Sequence, residues 1–216
     1  KKLLQEAEIT LKHTLHHSVC VSASGTAYLL GGGHKVRGFS SGDLSPAPSS
    51  FTHFNQNIES RSNETSRLDI PYCHVIFPDK QSVLENDFPI QPVKRLGELY
   101  FNALPQALHT YMLYPLQALQ NSPVRPYHPL DTHLNDHGSL IVLGGILEKL
   151  GIQEISALEQ LSQRITKMVR STGDLGSKLT PPQYQESLYL APNWPVHRLE
   201  SGPQINDGHI DLYLNP

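Results

Sequence analysis

Histidine and aspartate cluster in one short stretch, HPLDTHLNDHG, at residues 128–138. Asp131 and His133 are two positions apart, and side chains at positions i and i+2 of an extended segment share a face. A carboxylate beside an imidazole fixes the tautomer of the ring and stabilises the cation that forms when the ring takes a proton. The pair is therefore a candidate general base with its orienting carboxylate.

Two other interpretations of the same stretch remain open. Asp, Asn and His are common in turns and at helix starts, so the D-x-H spacing also fits a structural loop, and Asp136 is predicted to be the N-cap of the helix that follows. A metal site would use His133 and His137, spaced as i and i+4, with Asp131 as an oxygen ligand. The chain lacks the H-E-x-x-H motif that would strengthen this alternative.

A hydroxyl nucleophile would complete a catalytic triad, but its usual motifs are missing. No G-x-S-x-G sequence occurs. SGDLS (41–45) and TGDLGS (172–177) carry leucine where a Gly-Asp-Ser turn has its serine, and both are predicted to be loops. The glycines of LLGGGHKVRG, Gly31–Gly33, lack the Lys-Ser/Thr pair of a phosphate-binding loop and are predicted to form a tight turn.

The elements that must position these residues alternate between helices and short apolar strands. This alternation predicts an α/β fold with a mostly parallel central sheet and extra β structure near the C-terminus. The predicted strands are two in 18–32, separated by a turn, then one within 71–80 that Pro78 stops, and finally 185–192 and 209–216. The predicted helices are 2–17, one from residue 50, two or three short ones across 95–120, one from Asp136 to Gly151 and one from Ile155 to Met168, whereas 31–50 is predicted to be a surface loop.

The composition narrows the classes of function. A chain of 216 residues suits a single domain, 1–216. The net charge is -3 and no Lys/Arg block is longer than two residues, which argues against a nucleic-acid partner. No apolar run approaches the roughly 20 residues of a membrane-spanning helix. Cys20 and Cys73 each lie in an apolar, strand-like run, which fits either a disulfide or two free thiols.

Three blocks of the sequence carry a family resemblance. AYLLGGGHKVRGFSSG, HVIFPDKQSV and HPLDTHLNDHG, in this order and spacing, resemble the SGNH-hydrolase-like domain of the alginate O-acetylation proteins and their relatives. The blocks span about residues 25–150, and the D-T-H-x-N run is the most specific of them. Leu134 is a departure, because relatives usually carry tryptophan at that position.

The resemblance implies a three-layer α/β/α fold and O-acetyl transfer to, or removal from, an extracellular or capsular polysaccharide. Asp131 and His133 match the catalytic aspartate and histidine of the family, whose nucleophile is the serine of a later Gly-Asp-Ser turn. We expect this serine beyond Pro216, so that the domain is incomplete at its C-terminus and this chain alone is inactive. The implied partners are a polysaccharide, an acetyl donor and membrane-associated acetylation machinery in the periplasm or cell envelope, and no metal or organic cofactor is implied.

Two further functions are consistent with the residues. One is a non-catalytic carbohydrate-binding or assembly domain that retains the fold. The other is a metal-dependent hydrolase that uses Asp131, His133 and His137.

Overall fold

The structure is a computed structural model that describes residues 18–153, 155–191, 197–201 and 211–214. It mixes helices with short strands, as the alternation in the sequence predicts. The predicted helix at 2–17 lies outside the described residues. The helices of the described part are α1 (Val36–Ser41), α2 (Pro48–Arg67), α3 (Lys80–Val83), α4 (Leu96–Asn102), α5 (Leu116–Gln120), α6 (Asp136–Lys149), α7 (Ile155–Gln163) and α8 (Gly173–Gly176), with 3-10 turns at Glu85–Asp87 and Gln106–Tyr111. The strands are β1 (Val19–Val21), β2 (Ala27–Leu29), β3 (His74–Val75), β4 (Met112–Leu113), β5 (Ile165–Ser171), β6 (Gln185–Leu190), β7 (His197–Ser201) and β8 (Asp211–Leu214).

The described strands form four two-stranded sheets. β3 and β4 run parallel, whereas the pairs β1–β2, β5–β6 and β7–β8 are antiparallel. These strands do not form the mostly parallel central sheet that the sequence predicts. The apolar run around β3 is bounded by Pro71 and Pro78, and proline lacks the backbone N–H that a longer strand would donate.

The hairpin of β1 and β2 lies between two apolar cores. Its strands pair with Cys20 opposite Tyr28, which confirms the predicted strand, turn and strand. Because side chains alternate in direction along a strand, Cys20 and Tyr28 belong to one core, whereas Val19 and Ala27 pack with Leu130 in the other. The hairpin is thereby in contact with the loop that carries the candidate site.

The segment after α7 is a strand, so the helix predicted to continue to Met168 is wrong beyond Gln163. β5 pairs with β6, beginning with Ile165 opposite Leu190. Its sequence, ITKMVRS, has β-branched residues at three of its seven positions, and such residues favour extended backbone. The apolar spacing fitted a helix, and strand pairing overrode it.

Part of the predicted surface loop 31–50 is helical. α1 ends at Ser41 and is capped by Gly42, whose φ of 83° is in the left-handed region that glycine adopts readily. Within α1, Gly38 lies so close to the side chain of Leu44 that a Cβ would clash with it. This packing stabilises a short helix in a Gly/Ser-rich segment. The glycine run Gly31–Gly33 lies in the predicted turn.

α6 begins one residue earlier than its cap prediction implies. The N-cap is Asn135, whose side-chain oxygen accepts a hydrogen bond from the Gly138 N–H at 2.9 Å. The prediction that Asp136 is the cap is wrong, because its carboxylate instead accepts a hydrogen bond from the Leu190 N–H of β6. Gly138 packs against the Pro126 carbonyl so closely that no Cβ would fit, which holds the start of α6 against the preceding segment.

Both cysteines are free thiols. Cys20 is buried in β1, and burial raises the pKa of its thiol to about 12. Cys73 is half-buried just before β3. Among the described residues, no helix is both long and apolar enough to cross a membrane.

Candidate functional site

The candidate site lies at the tip of a narrow loop that connects two short extended segments. Tyr127 and Leu134 form an isolated antiparallel bridge, and the His128 N–H donates to the His133 carbonyl at 3.3 Å. The six residues between the bridged positions therefore turn back sharply, and Asp131 and His133 lie beside each other in this turn. The site belongs to a closed loop just before the α6 N-terminus.

Asp131 and His133 make the contact that their spacing predicts. The distance from Asp131 Oδ1 to His133 Nδ1 is 2.6 Å, and the same oxygen accepts the backbone N–H of His133 at 3.0 Å. Because a carboxylate can only accept, Nδ1 is assigned as the donor and the neutral ring keeps a lone pair on Nε2. Among the residues that the structure describes, Nε2 has no hydrogen-bond partner. The arrangement is that of a general base oriented by a carboxylate.

The exposure of the two side chains suits these different roles. Asp131 is only 19% exposed, whereas His133 is 78% exposed. Burial acts to raise the pKa of the Asp131 carboxyl, but the hydrogen bonds from the His133 ring and from the backbone N–H groups of His133 and Asp174 outweigh it, so this pKa lies below its ordinary value. Asp131 is therefore an anion at neutral pH, and His133 can exchange protons with a substrate or nucleophile.

Asp174 completes the support of the loop. Its backbone N–H donates to Asp131 Oδ2 at 3.1 Å, and its carboxylate accepts the Thr132 N–H at 2.8 Å and the Thr132 hydroxyl at 2.5 Å. The residue before it, Gly173, has a φ of 63° and approaches the Leu130 carbonyl so closely that no side chain would fit. The sequence prediction that TGDLGS is only a loop is wrong, because it contains α8 and holds the site. The Gly-Asp pair in this segment was the signal in the sequence for this role. It was interpreted only as an incomplete Gly-Asp-Ser nucleophile turn.

Lys80 is a second residue of the site that sequence reasoning left without a role. It is 5% exposed, at the start of α3. Its ammonium donates to the carbonyl oxygens of Ala27, His128, Pro129 and Asp131 at distances of 2.7 to 2.9 Å. The P-D-K motif after β3 thereby reaches the backbone directly behind Asp131.

A cavity of about 660 Å³ opens beside the pair. Its wall includes His133, Lys80 and Tyr127, so the ring of the candidate base is accessible to a small molecule from this side. Leu134 also lines it, at the position where relatives of the resembled family carry tryptophan. The smaller side chain leaves more room next to His133.

The metal alternative is changed by the structure. Within the described ranges, three side chains come close enough together to bind one metal ion: Asp131, His133 and Asp174, whose ligand atoms lie within 4.8 Å of one another. His137 does not belong to this group. Each oxygen of the two carboxylates already accepts a hydrogen bond from Thr132, His133 or the Asp174 backbone. A cation would compete with these donors for the carboxylate oxygens, so the geometry favours the base pair.

In comparisons with known proteins, no family model, no curated protein and no solved structure matches this chain. The function proposed below therefore rests on the side chains of the site, their geometry and the motif resemblance.

Proposed function

We propose that this protein is an SGNH-like acyl-ester enzyme that transfers O-acetyl groups to a polysaccharide or removes them from it. The observation that carries the proposal is the 2.6 Å contact between Asp131 Oδ1 and His133 Nδ1 beside an open cavity. In acyl transfer, such a pair activates a hydroxyl nucleophile and then protonates the leaving group.

The proposed chemistry divides the work between the two residues. His133 Nε2 takes the proton of a hydroxyl that attacks the acetyl carbonyl, and Asp131 stabilises the imidazolium that results. The imidazolium then gives its proton to the departing oxygen of the acetyl ester, and the acetyl group stays on the nucleophile. In the second half of the reaction, His133 takes a proton from water, for removal, or from a sugar hydroxyl, for transfer; this oxygen attacks the acetyl group and the nucleophile leaves with the proton. By resemblance, the nucleophile is the serine of a Gly-Asp-Ser turn, a sequence that does not occur within residues 1–216.

The proposal includes the finer architecture of the resembled family. A three-layer α/β/α domain would build its central sheet outward from a parallel pair, and β3–β4 is such a pair, with α3 and α4 in the connection between its strands. The partners are an extracellular or capsular polysaccharide and an acetyl donor, with the protein in the periplasm or cell envelope beside membrane-associated acetylation machinery. The proposed reaction requires no cofactor.

The test uses the protein expressed from its complete coding sequence and a chromogenic acetyl ester. His133→Ala is expected to lower kcat by about 10²- to 10⁴-fold, because general-base catalysis contributes this much. Asp131→Asn should also lower kcat, since an amide cannot stabilise the imidazolium as a carboxylate does. His137→Ala is the matched control, as a histidine four residues away on α6, and should keep wild-type turnover.

The outcomes separate the three candidate functions. Unchanged turnover in His133→Ala would exclude the proposed base. Loss of wild-type turnover on treatment with a chelator, restored by added zinc, would favour the metal-dependent hydrolase. A wild-type protein that binds acetylated polysaccharide without turning over any acetyl ester would favour the carbohydrate-binding role.

A further inference from the structure

The ammonium of Lys80 is surrounded by backbone carbonyl groups. It donates to His128 O at 2.7 Å, Ala27 O at 2.8 Å, and Pro129 O and Asp131 O at 2.9 Å. An ammonium has three N–H groups, so at least one of them is shared between two of the four acceptors. This is a dense set of contacts for one side chain, and none of its acceptors belongs to another side chain.

The acceptors come from two separate parts of the chain. Three of them lie in 128–131, the segment that ends at Asp131 itself, and the fourth lies on β2. The Ala27 N–H also donates to the Pro129 carbonyl at 2.9 Å, so the loop and the hairpin are joined twice. Lys80 therefore fixes the position of the loop backbone relative to a buried strand.

Burying this charge costs free energy, which the hydrogen bonds to the carbonyl groups must offset. Burial, followed by repulsion from Arg125, lowers the pKa of Lys80 to about 7, although Asp131 and Asp174 act in the opposite direction. No carboxylate lies within ion-pair distance of its ammonium in the described part of the chain. Simple space filling would be achieved at lower cost by methionine, which has a similar length and no charge to desolvate. Compared with methionine, lysine adds the hydrogen bonds that its ammonium donates to the carbonyl oxygens.

We infer that Lys80 is a positioning residue for the Asp131–His133 pair, which it holds in place through the backbone of 128–131 without touching either side chain. The inference rests on the proposed function for its activity readout and on the loop geometry for a second, independent readout. Loss of the ammonium removes this donor from four buried or half-buried carbonyl groups, of which Pro129 O keeps the Ala27 N–H, and the loop is then free to shift. A shift of about 1 Å at a catalytic group can cost about 100-fold in rate.

The first test measures Lys80→Met and Lys80→Ala in the protein expressed from its complete coding sequence, with thermal unfolding to confirm that each is folded at the assay temperature. We expect kcat on the chromogenic ester to fall by about 10- to 100-fold with little change in KM. Lys149→Ala is the matched control, because the Lys149 ammonium also contacts two backbone carbonyls, His109 O at 3.3 Å and Thr110 O at 3.4 Å. Unlike Lys80, it is exposed, and it lies at the end of α6. It should retain wild-type kinetics.

Chemical rescue distinguishes positioning from a general loss of structure. Lys80→Ala removes three methylene groups and the ammonium, and n-propylamine supplies the same atoms through the cavity that Lys80 lines. The amine should raise kcat of Lys80→Ala, whereas n-propanol should not. The amine should leave His133→Ala unchanged, since that variant lacks the base itself. The double variant Lys80→Met with Asp131→Asn should lose less activity than the product of the two single losses, because both changes act on the same pair.

The second readout, which does not depend on activity, is hydrogen–deuterium exchange of a peptide spanning 127–134. Lys80→Met is expected to exchange faster than wild type in this peptide, and Lys149→Ala is not. A folded Lys80→Met variant with wild-type kcat, or with wild-type exchange, would overturn the inference, and unfolding of both Lys80 variants would overturn it in favour of a purely structural role. If the wild-type protein turns over no ester, the proposed function fails, and the exchange result alone decides whether Lys80 holds the loop.

Discussion

Replacement of Asp174 by alanine tests how much the hydrogen bonds between Asp174 and the loop contribute to the free energy of unfolding. The half-buried carboxylate accepts the Thr132 N–H at 2.8 Å and the Thr132 hydroxyl at 2.5 Å. Hydrogen bonds to a charged group contribute about 1.5–3 kcal/mol each, and partial exposure places these two near the lower end. Asp174→Ala is therefore expected to reduce the free energy of unfolding by about 2–4 kcal/mol.

A matched control lies in the other Gly-Asp-Leu segment of the chain. Asp43 is exposed, and its carboxylate accepts a hydrogen bond from the Ser41 hydroxyl at 2.7 Å, two residues away. Such a local, exposed contact is worth less than about 0.5 kcal/mol, so Asp43→Ala should have almost no effect.

Urea denaturation at pH 7 measures both variants. With a slope of about 2 kcal/mol/M, the expected loss moves the Asp174→Ala midpoint down by about 1–2 M. The slope itself should stay the same, because the unfolded chain exposes nearly the same area. Equal midpoints for Asp174→Ala and Asp43→Ala would refute the reasoning that the contacts to Thr132 hold the loop.

Three other predictions concern the charges and thiols of the site and its surroundings. The pKa of Asp131 is lowered in the folded protein, so its contribution to stability is complete above its unfolded pKa of about 4 and is lost as the pH falls through the folded value. Asp131→Asn should flatten the decline in urea midpoint below about pH 4, and an unchanged pH profile would contradict this. Cys73 should react with a thiol reagent under native conditions and Cys20 only after unfolding, because Cys20 is buried and its pKa is raised to about 12; mass spectrometry of the labelled peptides decides this. EDTA treatment should leave ester turnover unchanged, since the carboxylate oxygens of Asp131 and Asp174 already accept hydrogen bonds, and a loss that zinc or manganese reverses would restore the metal alternative.

The sequence predicted those features that depend on neighbouring residues. The approach of Asp131 to His133 needs only an i, i+2 spacing in a turn, and it is present at 2.6 Å. The β1–β2 hairpin follows from two short apolar runs around Gly25, and α6 follows from an apolar stripe that ends before Gly151. Local errors were small: the N-cap of α6 is Asn135, because that side chain can reach the Gly138 N–H.

The tertiary structure alone decided which distant residues support the pair. Lys80 is 51 residues from Asp131, and Asp174 is 43 residues from it, so no helix or strand periodicity relates them. Their contacts depend on how β2, α3 and α8 pack around the loop. Strand pairing is also a long-range property, which explains why 165–171 became a strand against β6 and why the predicted mostly parallel sheet is not formed by the described strands. The sequence by itself determined the contact between Asp131 and His133, because that contact is local. The support of their loop required the packing of distant segments that only the folded chain brings together.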